Sequence, residues 1–203
     1  MVAADRVNAL KVTALTGAAA IRAAIPALAR LRIAVFREFP YLYDGSPEYE
    51  AEYLETYARC ADSLIVLVED GDTAVGASSA LPLTAETPDL KQPFVNAGWN
   101  PARVLYLRES VLLPAYRGRG LGHAFFDQRE AHARRLVGCT HTAFCAVRRD
   151  SAPTDAPRSL EGFWRNRGYA PQVGLTTVMH WQEVGQSAQS AHGMQFWTRA
   201  LEG

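Results

Sequence analysis

One stretch constrains this chain more than any other. Leu112-Leu113-Pro114-Ala115-Tyr116-Arg117-Gly118-Arg119-Gly120-Leu121-Gly122-His123 stands where a strand gives way to a helix. Val104 to Leu113 is mostly apolar and is stopped by Pro114, and Gly120 to Val137 places Leu121, Phe125, His132 and Leu136 on one side of a helix. Thr140 to Val147 returns as a strand, so the unit reads strand, glycine turn, helix, strand. Glycines at 118, 120 and 122 let the backbone turn tightly and aim N–H groups outward at a helix N-terminus. Such a turn is an anion cradle, and a diphosphate is the expected guest, with Arg117 and Arg119 adding donors. Two familiar phosphate loops fail the spacing. A P-loop needs Lys and then Ser or Thr after its last glycine, where this chain has His123, and G-x-G-x-G is not the G-x-G-x-x-G of dinucleotide folds.

The rest of the chain supplies a setting for that unit. Its 203 residues leave room for one domain, 1–203, on a prior of about 150 per domain. Leu10, Val12 and Leu15 alternate as a first strand, and Gly17 to about Phe39 reads as a helix jointed at Pro26. Ser46 and Pro47 are an N-cap and first helical residue for a second helix running to about Cys60. Leu64–Val68 and Thr73–Ala80 flank Asp70-Gly71-Asp72 as a hairpin. Pro82 to about Arg103 reads as a long excursion, and Ser159–Arg167 as a short helix capped by Gly168. Strands are expected around Leu175–Val184 and Met194–Leu201.

Composition excludes several classes. Twenty-one basic residues balance 21 acidic ones, so no global field favours nucleic acid or an anionic membrane. At 48% hydrophobic and 21% charged the chain is an ordinary globular one. Cys60, Cys139 and Cys145 are too few for a disulfide scaffold, and Asp5, Lys11, Arg22 and Arg30 interrupt the apolar N-terminal stretch. A cytoplasmic protein is the expectation. Cys139, His141 and Cys145 mimic metal ligands on one strand face, but no fourth ligand follows at a usual spacing, so no metal is expected.

Arg117, Gly120 and Gly122 match the R/Q-x-x-G-x-G/A signature of the GNAT superfamily of N-acetyltransferases. The chain also resembles that family in the strand ending Leu112-Leu113-Pro114, in Phe163-Trp164-Arg165-Asn166-Arg167-Gly168-Tyr169, and in its order of elements. The resemblance implies a mixed α/β fold: a largely antiparallel central sheet with a splayed parallel strand pair and helices on both faces. It implies acetyl-CoA as co-substrate, with Val111, Leu112 and Leu113 pairing with pantetheine and one of their N–H groups facing the thioester oxygen. Arg117, Gly118, Arg119, Gly120, Leu121, Gly122 and His123 would hold the diphosphate.

Proton chemistry is written less plainly. Glu109, close before the expected oxyanion N–H, is the candidate base, and its alternative is a carboxylate paired with Arg103 or Arg108. Alternation puts it with Leu107 and Val111 unless a bulge intervenes. Where many members of the family carry a tyrosine acid this chain aligns Trp164, whose indole cannot serve, so Tyr169, Tyr116 or water would substitute. Tyr41 and Tyr43, in the loop between the first two helices, are the candidate acceptor-binding residues. Core packing accounts for the helical stripe Tyr49, Tyr53, Tyr57 better than recognition does. The expected partner is a small-molecule or peptide amine, with the 82–103 excursion either closing over it or making a homodimer contact. The rival expectations are a non-catalytic acyl-CoA-binding or regulatory module and a transferase of longer acyl groups.

Overall fold

The computed structural model describes residues 10–149, 153–154, 156 and 158–202. Seven strands, β1 (Lys11–Leu15), β2 (Leu64–Asp70), β3 (Thr73–Pro82), β4 (Val104–Leu112), β5 (His141–Val147), β6 (Ala170–Gln182) and β7 (Gln189–Ala200), form one sheet in the order β1-β2-β3-β4-β5-β7-β6. Among these seven strands only β4 and β5 pair in parallel. This is a mixed α/β fold, with α1 (Ala18–Phe36), α2 (Pro47–Arg59) and α3 (Pro88–Asn96) on one face and α4 (Leu121–Arg135) and α5 (Glu161–Asn166) on the other.

Helix α1 buries Ile21, Ala24, Ile25, Leu28 and Leu31, an i, i+3, i+4 stripe, against α2 and Ile65, Leu67, Ala77 and Val111 of the sheet. Pro26 does not break α1, which runs from Ala18 to Phe36, and it lies on the exposed side of the helix, where a carbonyl left without its N–H partner can be met by water. Ser46 caps α2 as expected, its Oγ accepting from the Tyr49 N–H at 3.3 Å.

The 82–103 excursion contains α3, which the sequence reading missed because Pro93 falls inside it. Pro93 lacks the N–H that would bond the Asp89 carbonyl, and the Thr177 hydroxyl donates to that oxygen instead, at 2.7 Å. Leu90 and Phe94, four apart, fasten α3 onto Val104, Tyr106 and Phe196. Strands β6 and β7 each begin five residues earlier than expected. The added residues, 170–174 and 189–193, are all exposed or half-buried apart from His192, so burial there leaves little alternation to read.

Two departures from regular β geometry shape the site. Ser78 opposes Ser110 and Ala80 opposes Leu107, so Ser79 faces both Arg108 and Glu109, and β4 carries a bulge there. The β4–β5 ladder runs only from Val104/His141 to Tyr106/Ala143. Beyond it β4 stays paired to β3 as far as Leu112, and β5 to β7 as far as Val147. The two parallel strands therefore part into a wedge, each held by its outer neighbour, and the extra twist of a bulge acts in the same direction.

Candidate active site

Strand β4 leads into a 3₁₀ turn, Pro114–Tyr116, and then into the glycine loop. Gly118 and Gly120 sit at φ +75° and +80°, and a Cβ at either would meet nothing within 4 Å. Glycine is present for the backbone conformation, and the space over it is open. The N–H groups of Gly118, Arg119, Gly120, Leu121 and Gly122 have no partner among the described residues, whereas Arg117 N–H donates to Pro114 O and His123 N–H to Gly120 O. The expected cradle of 117–123 therefore narrows to 118–122. Five open donors at the positive end of α4 are a donor set that an anion could use.

The arginines of the loop are already occupied. Arg117 donates from Nε to Leu112 O at 3.1 Å and from Nη1 to Glu38 at 2.8 Å, tying the end of β4 to the segment after α1. Arg119 donates to Ala115 O and stacks over Tyr116. The His123 ring packs edge-on to Phe163 and lines a concavity of about 450 Å³ between α4 and α5. The cradle is thus a main-chain device.

On β4, Leu113 N–H donates to Val75 O on the β3 side. Alternation then turns Val111 to the same side, and Ser110 and Leu112 to the wedge. Of the three residues expected to offer main chain to pantetheine, Leu112 is the one so oriented.

The bulge decides where Glu109 points. Leu105 and Leu107 pack towards α4, yet Arg108 and Glu109 both turn to the α1/α2 face, so Glu109 shares a face with Val111 and not with Leu107. Glu109 is 2% exposed and pairs with neither Arg103 nor Arg108. Its Oε2 accepts from Arg32 at 2.7 Å and its Oε1 from the Tyr57 hydroxyl at 2.9 Å, which in turn accepts from Ser79 at 2.8 Å. Arg32 also bonds Glu50, itself fully buried on α2. Burial opposes the charge of Arg32, but the carboxylates of Glu109 and Glu50 outweigh it and hold its pKa above the ordinary value.

Under the bulge lies Arg129 of α4, 1% exposed, donating to the carbonyls of Ser79 and Glu109 and to Ser110 Oγ. These are the groups a bulge takes out of the ladder, and a side chain from the opposite face of the sheet satisfies them. Burial pulls the Arg129 pKa down to about 10.

Tyr41 and Tyr43 stand in a loop fastened at many points. Arg149 donates to Pro40 O, Tyr41 O and Glu183, the Trp181 indole donates to Tyr41 O, and Tyr43 bridges Glu183. Leu42 takes φ +53°, a conformation that costs a branched residue about 1–2 kcal/mol. Gly45 is required because a Cβ there would lie 2.4 Å from the Tyr43 ring. Burial, then the Glu50 carboxylate beside it, pushes the Tyr43 hydroxyl up.

The tyrosine stripe of α2 is more than core. Tyr57 holds Glu109, and the Tyr53 ring carries the guanidinium groups of both Arg32 and Arg108, at 4.5 and 4.1 Å. Arg32, Glu50 and Arg129 were not found in the sequence, where each reads as an ordinary surface charge, and Arg108 entered there only as a partner for Glu109. The other candidate acids are engaged: Tyr169 with Thr142 and Glu130, Tyr116 with Asp70, while Trp164 packs edge-on against Phe144 and Trp197. Among the described residues no group of three or more His, Cys, Asp or Glu could hold a metal ion, and no helix is long and apolar enough to cross a membrane.

Solved structures share this architecture. A putative acetyltransferase, yncA, from Salmonella typhimurium, solved with its cofactor acetyl-CoA, is 13% identical with a TM-score of 0.61, over 96% of this chain and 95% of that one. Arabidopsis thaliana NAA60 in complex with acetyl-CoA is 11% identical with a TM-score of 0.63, over 96% and 100%. A ribosomal-protein-alanine N-acetyltransferase from Brucella melitensis is 16% identical with a TM-score of 0.60, over 94% and 99%. At such identities the likeness is one of fold, and a search of curated proteins finds no match. A family model does match the sequence, over residues 28–156, a span that holds the cradle, the wedge and Glu109 together: this chain belongs to the acetyltransferase (GNAT) family.

Proposed function

We propose that the protein is an N-acetyltransferase that moves an acetyl group from acetyl-CoA directly to a primary amine. The observation that carries this reading is the run of five unpartnered N–H groups, Gly118 to Gly122, at the mouth of the β4–β5 wedge. Acetyl-CoA, bound there, supplies an activated thioester. The 118–122 main chain would grip its diphosphate, and the wedge-facing edge of β4 would pair with its pantetheine arm. The Leu112 N–H is the donor for the thioester oxygen, an oxyanion contact of a kind worth about 3 kcal/mol.

Glu109 is the candidate base. Arg32 and Tyr57 use one lone pair on each of its oxygens, which leaves acceptor capacity for an ammonium. The ammonium first gives one proton to Glu109, and the free amine attacks the thioester carbon; as the carbon–sulfur bond breaks, the nitrogen gives up its second proton to water, and water protonates the departing thiolate. No tyrosine hydroxyl is needed, since a thiol of pKa about 8.5 is a tolerable leaving group. Tyr41 and Tyr43 would wall the acceptor side.

The test pairs two measurements on the intact protein. Titration calorimetry should show acetyl-CoA binding, and a thiol-release assay over an amine panel should show turnover with at least one amine. Absence of binding overturns the reading. Binding without thiol release from any amine supports the non-catalytic module that Trp164 favours, and faster release from longer acyl-CoA donors changes the donor but not the chemistry.

A further inference from the structure

Three buried guanidinium groups surround the β4 bulge, and two are filled. Arg32 is satisfied by Glu50 and Glu109, and Arg129 by three main-chain carbonyls and a hydroxyl. Arg108 differs. Its side chain is 8% exposed, and it donates no aligned hydrogen bond to any described residue. Its Nε comes within 3.3 Å of Glu86 Oε1, but that oxygen, on a side chain 1% exposed, has no hydrogen-bond partner either. Burial pushes the Glu86 carboxyl up, which weakens its hold on the guanidinium. The donors that Glu86 does not engage on this largely buried fork are open to something else that accepts.

Position says what that something is. Arg108 lies two residues beyond Tyr106, where the β4–β5 ladder ends, and so at the opening of the wedge. The Tyr53 ring lies under its guanidinium at 4.1 Å and fixes the plane of the fork. Because of the bulge, Arg108 and Glu109 are consecutive yet face the same way, onto the α1/α2 face. A positive fork and a carboxylate side by side on one face match a zwitterion with its amine and carboxylate a few bonds apart.

Resting on the N-acetyltransferase reading above, we propose that the acceptor is a small free amino acid whose carboxylate docks on Arg108 while its amine meets Glu109. A guanidinium and a carboxylate pair bidentately, which fixes orientation as well as affinity.

The experiment compares the proteinogenic L-amino acids with their α-amides and with N-terminal peptides in the thiol-release assay. At least one amino acid should exceed its own amide by about tenfold or more in kcat/KM. Arg108→Gln should bring that ratio close to one, mainly through KM, and Arg108→Lys should restore part of it, with acetyl-CoA affinity unchanged in both. A preference for amides or peptides, or a ratio untouched by Arg108→Gln in a folded protein, overturns the proposal while leaving acetyl transfer standing. Release of thiol from no amine at all overturns the transferase reading instead.

Discussion

Gly120 holds φ +80°, opens the first turn of α4 and has empty space where a Cβ would be. A glutamate there puts a negative charge among the open N–H groups proposed to hold phosphate. Gly120→Glu is expected to abolish acetyl-CoA binding in calorimetry while costing only about 1–2 kcal/mol of stability for the left-handed backbone. Retained affinity would place the coenzyme elsewhere. Arg32 is the opposite kind of residue, since its loss leaves the buried carboxylates of Glu50 and Glu109 facing each other without a cation. Arg32→Ala should cost about 3–5 kcal/mol in urea unfolding, and adding Glu50→Gln should recover part of it. If Arg32→Ala is neutral, the buried ion triad is not formed in solution.

Elements place these residues through their irregularities. A regular β4 would have sent Glu109 towards α4 with Leu107, and the single extra residue at 108–109 turns it to the α1/α2 face instead. The loop after α1 is held in a similar way by partners far along the chain, Arg149 just after β5 and Trp181 on β6. His192 of β7 is part of that clamp, stacked on Trp181 at 3.6 Å and 3.7 Å from Glu183. Burial, then the Arg149 charge, lowers its pKa below 6.5, against an opposing pull from Glu183. A lowered histidine contributes stability above its unfolded pKa and loses it as pH falls through the folded one. Urea midpoints should therefore drop between about pH 7 and about pH 5 more in the wild type than in His192→Gln. Equal slopes would mean that this histidine is solvated.

At the scale of the molecule, the sheet is continuous on both sides of an interruption at its middle. A ligand that fills the wedge joins two halves that the β4–β5 ladder joins only over three residue pairs. Acetyl-CoA at about a hundred times its Kd should raise stability by about 2.7 kcal/mol. Hydrogen exchange should slow at Leu112, at 118–122 and along the outer half of β5. Protection confined to the concavity between α4 and α5 would contradict the wedge as the binding site.

The sequence by itself determined what depends on local rules. The positive-φ glycines of the cradle, the Ser46–Pro47 helix start, the Asp70-Gly71-Asp72 hairpin and the strand-turn-helix-strand unit all follow from backbone preference and short-range periodicity. Glu109 was legible as a residue type close before the oxyanion position, but its orientation was not. A bulge, a ladder that stops after three pairs, a proline-bearing helix rescued by Thr177, and arginines that fill one another's carboxylates are each settled by a partner distant in the chain. Only the tertiary structure decided those. A hydrogen-bond donor is satisfied by whatever lies within about 3 Å in space, and that distance carries no trace of separation along the sequence.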